Sequence, residues 1–395
     1  MTTQLKNIFF VLVLTITLGQ FFSDLYLPSI PAISEALKAT TELSQLTVST
    51  YLLGYFTSSL IYGPISDTFG RKKPLLLGLI LCLTGSFICV ISTNIFTLIS
   101  GRLIQGLGSG AGIITGAIIR DCTEGKNLAK FNSYLSMANM VVIISAPILG
   151  GYFQVFFGWH TSFLFLFAYS FTILVLVGLF VPETKNKSLR VHLKLRFYFS
   201  TVCELIKARQ FIGYAICLFC SYGGIMAWLT CGPVLMQNYL LLTPSNFGWM
   251  CFSCGISYTF GAFLNSKFVV AKGTEKMFNV GAWLMFISGF SMLVLSTIFF
   301  NVAVILLPLM LYTTGVAMIM PNCYAEALTP FLKTAGFAVA ALAGSSILGG
   351  VVSSTIMAFL PDSSQIPLAL ILIICSTAIF LSKKFMLMKN YARKS

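Results

Sequence analysis

Charge is what this sequence has least of. Asp and Glu number 11 in 395 residues, His only 2, and all charged side chains together make up 9 % of the chain. A soluble domain usually carries about a quarter charged residues and under half apolar ones. Here apolar residues reach 57 % and mean hydropathy is +0.90. That excludes a soluble globular enzyme and an intrinsically disordered chain. The shortage of histidine bears on the 11 cysteines. Cys217 and Cys220 form a C-x-x-C pair, as do Cys251 and Cys254, but neither pair has a nearby His. They read as small apolar filling of helices, with no metal site expected. The Gly-rich run Gly106 to Gly116 lacks the Gly-Lys-Ser/Thr ending of a nucleotide loop. Coupling to an ion gradient, or simple facilitation, is what remains.

What is present in abundance is long apolar runs. A helix crossing a bilayer needs roughly 20 apolar residues, so twelve use about 240. The runs fall near 8–27, 46–66, 74–92, 96–119, 131–154 and 160–181, then 211–234, 246–266, 278–298, 301–325, 335–359 and 366–382. The first resembles a signal peptide but carries Gln20 and Asp24, and is expected to remain as a span. If the N-terminus is cytoplasmic, every basic residue except Lys38 and Arg102 falls on the cytoplasmic side. So one-sided a distribution supports both the number of spans and the orientation. The net charge of +14 then records topology and contact with anionic lipid, and no nucleic-acid partner is expected. The polar stretch 183–209 separates residues 1–182 from 210–395. This predicts two bundles of six helices joined by a basic cytoplasmic linker.

Few polar groups lie inside the spans, and each needs a reason. Asp24 sits near the end of the first span; burial disfavours the charged carboxylate, which makes it a candidate proton carrier. Gln20 lies one turn earlier on the same helical face. Arg102 lies a few residues inside the fourth span and needs a partner, a water path or a snorkelling route. Gln105 follows one turn later. Tyr26, Tyr51, Tyr55, Tyr134, Tyr222 and Trp228, with Phe22, are candidates to line a cavity for an amphipathic organic molecule. Between spans two and three, Gly63, Asp67, Gly70 and Arg71 form a compact charged loop able to latch two helices. The second half echoes it weakly at Gly261 and Asn265. Pro147, Gly150 and Gly151 suit a kinked, closely packed gating helix. Arg120, Asp121 and Glu326 fall at cytoplasmic helix ends and are candidates for a gate network.

In order along the chain stand Asp24-Leu-Tyr-Leu-Pro28, Gly63-Pro-Ile-Ser-Asp-Thr-Phe-Gly-Arg71, Gly101-Arg-Leu-Ile-Gln-Gly106, Arg120-Asp121, Ala146-Pro-Ile-Leu-Gly-Gly151 and Met320-Pro-Asn-Cys-Tyr-Ala-Glu326. Together they resemble the major facilitator superfamily, and more narrowly its bacterial Bcr/CflA-type drug:proton antiporters. The resemblance implies an all-α membrane protein of 12 transmembrane helices in two six-helix bundles. It implies proton-coupled export of small organic compounds by alternating access, with protons as coupling ion and no cofactor. The expected protein is a monomer in the bacterial inner membrane with both termini cytoplasmic. By the same resemblance Asp24 and Arg102 match the proton-coupling groups, Asp67 and Arg71 the conformational latch, and Pro147, Gly150 and Gly151 the antiporter motif. The chain departs from the pattern at Ala146 and Met137, where glycine is usual, and at Ser345-Ser346, where a glutamine is often nearby. Other readings stay open: a dedicated exporter of a metabolite or siderophore, an uptake carrier, or a membrane scaffold or receptor without transport.

Overall fold

A computed structural model describes residues 3–123, 125–185 and 204–387. Most of the expected linker, 183–209, lies outside them. Twelve long helices account for nearly all of the rest, and no strand occurs among the described residues. In the first half α1 is Thr3–Asp24, α2 Thr41–Phe69 and α3 Lys72–Val90. Helix α4 runs as Ile95–Ser109 and Ile113–Cys122 through a tight 3-10 turn, and α5 Gly125–Phe157 and α6 His160–Phe180 follow. The second half holds α7 Arg209–Val234, α8 Pro244–Lys272, α9 Thr274–Ser296, α10 Val302–Leu328, α11 Ala335–Phe359 and α12 Ile366–Leu387.

Eleven helices among the described residues are long and apolar enough to cross a membrane on composition alone. The exception is α2, which is 29 residues long but buries Ser44, Gln45, Thr47, Ser49, Ser58 and Ser59 inside the protein. Its serine and threonine hydroxyls bond their own backbone, as Thr47 Oγ1 does to the Ser44 carbonyl at 2.6 Å. Intrahelical bonds of this kind make hydroxyls tolerable away from water.

The residues group into two compact units, Met1–Leu193 with Thr243–Trp249, and Lys194–Leu242 with Met250–Ser395. The start of α8, expected in the second bundle, thus belongs with the first unit. Within the first unit α1 packs on α5 and α6, α4 on α2 and α3, and α3 on α6. The second unit repeats this: α7 packs on α11 and α12, α10 on α9, and α9 on α12. Helix α8 meets α10 where Thr313 Oγ1 donates to the Cys254 carbonyl at 3.2 Å and Thr314 Oγ1 to that of Ser257 at 3.1 Å. The equivalent helices also start alike. Asn94 Oδ1 accepts the Thr97 amide at 2.9 Å before α4, and Asn301 Oδ1 accepts the Val304 amide at 3.1 Å before α10. Each asparagine satisfies a donor that the helix leaves free. Counting eight residues on from each cap gives Arg102 in the first half and Leu309 in the second. The buried cation is therefore a feature of one half of the repeat.

Candidate functional site

Helix α1 stops at Asp24 because two prolines follow closely. Pro28 opens a short 3-10 helix, Leu27–Ser29, and Pro31 opens the short helix Ile30–Ala36. Proline lacks an amide donor and suits the first positions of a new helix. Asp24 is 2 % exposed. Gln20 Nε2 donates to its Oδ2 at 2.5 Å, as the one-turn spacing predicts. The Ser23 side chain also bonds the carboxylate. Tyr26 lies past the helix end, so helical register does not govern where its ring goes.

That ring goes to Arg102. The guanidinium carbon lies 4.1 Å from the Tyr26 ring centre and 4.4 Å from that of Tyr51. Arg102 is 0 % exposed, so it neither snorkels nor meets a water path. Its partners are aromatic faces, each contributing about 2 kcal/mol where water is excluded. Arg102 Nη1 donates to Gln105 Oε1 at 2.7 Å, and Gln105 Nε2 to Ser86 Oγ at 2.9 Å. Tyr51 Oη donates to the Gly19 carbonyl at 2.7 Å and lies 3.2 Å from Ser109 Oγ. Tyr26 Oη and Thr47 Oγ1 share a hydrogen bond of 3.0 Å. The Tyr26 hydroxyl feels the Arg102 charge and lies within hydrogen-bonding reach of its guanidinium. Arg102 also acts electrostatically on Asp24.

The other candidate cavity residues divide. Tyr55 stacks on Tyr51 at 6.2 Å, and Phe22 is buried 6.3 Å from the same ring. Tyr134 does not join this group. It is exposed on α5, beside Phe9 and Lys130. Tyr222 and Trp228 lie on α7 in the second unit, Trp228 buried.

A second cluster gathers where α2 ends. Gly70 turns the chain with φ of 96°, a conformation that favours glycine. Arg71, 5 % exposed, then folds back. Its Nη1 bonds Asp67 Oδ1 at 2.9 Å and Ser66 Oγ at 2.8 Å, and its Nε bonds Asp121 Oδ2 at 3.0 Å. Three residues following α6 complete the clasp. Glu183 Oε1 accepts the Arg71 amide at 2.8 Å, Thr184 Oγ1 donates to Asp121 at 3.3 Å, and Lys185 Nζ reaches Asp67 at 2.6 Å. Glu183 so placed satisfies a free amide at the start of α3 and opposes that helix's positive end. Glu183 and Lys185 were legible only as linker charges, although an acid right after a span, in Pro182-Glu183, is a usable signal. Burial opposes the Asp67 charge, but the Lys185 hydrogen bond and the Arg71 charge hold its carboxyl below the usual 3.8. A carboxyl depressed in this way stabilises the fold above its ordinary value and loses that contribution as pH falls through the lowered one. The clasp therefore holds across the neutral range and yields only below pH 3.8. Arg71→Gln, which leaves Asp67 and Asp121 without their shared cation, is expected to cost about 2 kcal/mol. A thermal unfolding midpoint unchanged by this substitution would count against the clasp.

Gly63 takes part only through its carbonyl, which accepts Ser66 Oγ at 2.8 Å. Arg120 is exposed and makes none of the clasp's bonds, unlike its neighbour Asp121. The echo of the loop at Asn265 needs correction. The second-half counterpart of Gly70 is Gly273, with φ of 84° and α9 starting directly after it. Asn265 is buried further back in α8 and accepts Asn322 Nδ2 at 2.9 Å. Glu326 accepts Thr274 Oγ1 at 2.7 Å beside that turn. On α5, Pro147 lies within the helix, and Gly150 presses on the Leu25 carbonyl next to Asp24, leaving no room for a side chain. An added Cβ on Gly151 would sit 2.7 Å from the Pro244 carbonyl. This close approach explains why the start of α8 groups with the first unit.

Two repeated six-helix halves with a few buried charges define a membrane transporter, not an enzyme. The profile of the Major Facilitator Superfamily matches residues 12–329. The chain belongs to the Major Facilitator Superfamily, as a multi-pass membrane protein acting on small molecules. It is 26 % identical over 393 residues to the bicyclomycin resistance protein homolog of Haemophilus influenzae, covering 99 % of each chain. It is 28 % identical over 381 residues to multidrug resistance protein D of Escherichia coli, covering 95 % of this chain and 94 % of that one. These likenesses agree with the Bcr/CflA-type resemblance. The xylose transporter XylE from E. coli, in a partially occluded inward-open conformation, shares the fold with a TM-score of 0.73 at 15 % identity, over 98 % of this chain and 97 % of that one.

Proposed function

We propose that this protein is a proton-coupled antiporter that exports small amphipathic organic compounds by alternating access. It works as a monomer in a bacterial inner membrane, with both termini in the cytoplasm. The observation that carries the reading is Asp24. It is a buried carboxylate bonded by Gln20 and Ser23, in the same unit as the buried Arg102. A carboxylate so placed is a seat for a proton, and intramembrane carboxylates of this kind mark proton relays. The names of the bacterial relatives, for bicyclomycin resistance and multidrug resistance, favour drug-like cargo. Tyr26, Tyr51, Tyr55, Gln20 and Gln105 supply aromatic and amide surface for such a compound. The Arg71 clasp serves as the latch of one transport state, and α5 with Pro147, Gly150 and Gly151 serves as the gating helix. The basic residues outside the spans set the orientation.

The test is transport by the purified protein in proteoliposomes with an imposed pH gradient. The panel holds ethidium, tetraphenylphosphonium and chloramphenicol. Movement of a compound against proton flow, dissipating the gradient, is expected. Movement together with the protons, or at a rate indifferent to the gradient, would overturn antiport.

A further inference from the structure

The second unit holds a group of thiols that the transport reading does not use. Helix α7 carries Cys217 and Cys220 at helical neighbour spacing, so both fall on one side of it. That helix packs on α10, which carries Cys323, and on α12, which carries Cys375. Folding sorts the four into two pairs. The side chains of Cys220 and Cys375 hydrogen-bond each other between α7 and α12. Cys217 bonds Cys323, and shares a second hydrogen bond of 3.1 Å with Ser382 Oγ. All four are free thiols.

The pairs differ in access. Cys217 and Cys323 are 0 % exposed, whereas Cys220 and Cys375 each keep 6 %. Ile374, next to Cys375, is 65 % exposed, so this turn of α12 borders the outside of the bundle. Both cysteines lie near the middle of helices long and apolar enough to cross a bilayer, so the medium at that level is hydrocarbon. An S–H that donates to a neighbouring sulfur stabilises that sulfur as thiolate, the reactive form. Two such sulfurs on packed helices also have the proximity that a disulfide requires.

We infer that Cys220 and Cys375 are an oxidation site, a thiol pair that closes to a reversible disulfide joining α7 to α12. Both S–H bonds break and one S–S bond forms. The two electrons and two protons pass to a bilayer-soluble two-electron oxidant, a quinone or a diazene, which leaves as the hydroquinone or the hydrazine. Highly charged thiols such as glutathione stay in water and do not meet sulfurs at this depth. The product converts a packing contact within the second unit into a covalent one. The inference stands on the thiol geometry and is independent of what the protein transports.

The test treats the purified full chain in lipid nanodiscs with duroquinone, whose ring carbons are blocked against thiol addition, and in parallel with diamide. Remaining thiols are capped with N-ethylmaleimide in denaturant, and the chain is digested without reductant and mapped by mass. With at least one oxidant, more than about half of Cys220 is expected in a peptide linked to Cys375, and dithiothreitol should release it. Because the link forms in the folded protein and closes a long loop, the unfolding midpoint should rise by several degrees and fall back on reduction. Cys217→Ser should keep the link and the shift, and Cys220→Ser and Cys375→Ser should each lose both. The wild-type map decides alone for any variant that does not fold. Recovery of Cys220 and Cys375 as capped thiols with both oxidants overturns the inference. So does a map in which Cys220 is joined mainly to another cysteine, or in which Cys217 and Cys323 are the linked pair. A Cys220–Cys375 link that leaves the midpoint unchanged also overturns it, since that link forms only after unfolding.

Discussion

Asp24→Asn protein in proteoliposomes is expected to lose gradient-driven transport by about a hundredfold or more, the scale on which removal of a positioned proton-transfer group acts. Exchange of labelled for unlabelled compound without a gradient should persist. Asparagine has nearly the shape of a protonated aspartic acid, and its carbonyl can still accept from Gln20, which bonds the native carboxylate at 2.5 Å. The substitution therefore removes the exchangeable proton and little else. Parallel measurements of driven uptake and of exchange separate the two properties. Gradient-driven transport at the wild-type rate would show that the proton rides elsewhere, and the assignment of Asp24 would fall.

Gly106→Leu is expected to prevent the first unit from packing. A Cβ on Gly106 would overlap the Tyr51 carbonyl and lie 2.9 Å from the Tyr55 amide nitrogen and 3.0 Å from the Gly54 Cα. These are backbone atoms, so no side-chain rotation relieves the clash. Helix α2 must move off α4 and carry the Tyr51 ring away from Arg102, which converts a packing fault into an uncompensated buried charge. A loss of about 3 kcal/mol or more follows, at the upper end for overpacking. It is read as a lowered unfolding midpoint or as failure to elute as a folded species. Gly112→Ala is the control. Nothing lies within 4 Å of a Cβ there and its φ of −54° suits alanine, so stability should change by no more than about 0.5 kcal/mol. Equal behaviour of the two variants would contradict the packing described for α4.

Gly106 and Gly112 stand in one Gly-rich run, and nothing in the run itself separates them. The same limit applies across the site. The helices were legible because apolar length and one-sided basic charge are summed over many residues, and the Gln20–Asp24 bond because one helical turn sets it. The stacking of Tyr26 and Tyr51 on Arg102 was not legible, since the three residues come from three chain segments and the first lies in a Pro-directed turn. Sequence alone left Arg102 a partner, a water path or a snorkelling route; the structure shows partners, two ring faces and Gln105. Lys185 reads as one more linker charge until the fold brings it to Asp67. Tyr134 matched the other tyrosines by residue type and span, but its ring is exposed on α5. At the second loop, spacing selected Asn265, whereas the positive φ of Gly273 marks the equivalent turn. Local periodicity survives folding; partnerships between distant segments are created by it.

The compensation of Arg102 by aromatic rings has an electrical consequence. An arginine paired with a carboxylate is neutral as a unit and indifferent to voltage. Arg102 faces quadrupoles, which stabilise its charge without cancelling it. Where α4 spans the bilayer as its apolar run predicts, Arg102 is a positive charge within the layer across which the membrane potential falls. Moving a full charge through that layer exchanges about 2.3 kcal/mol per 100 mV with the field. Any rearrangement that shifts α4 along the membrane normal thus does electrical work, whatever the protonation of Asp24.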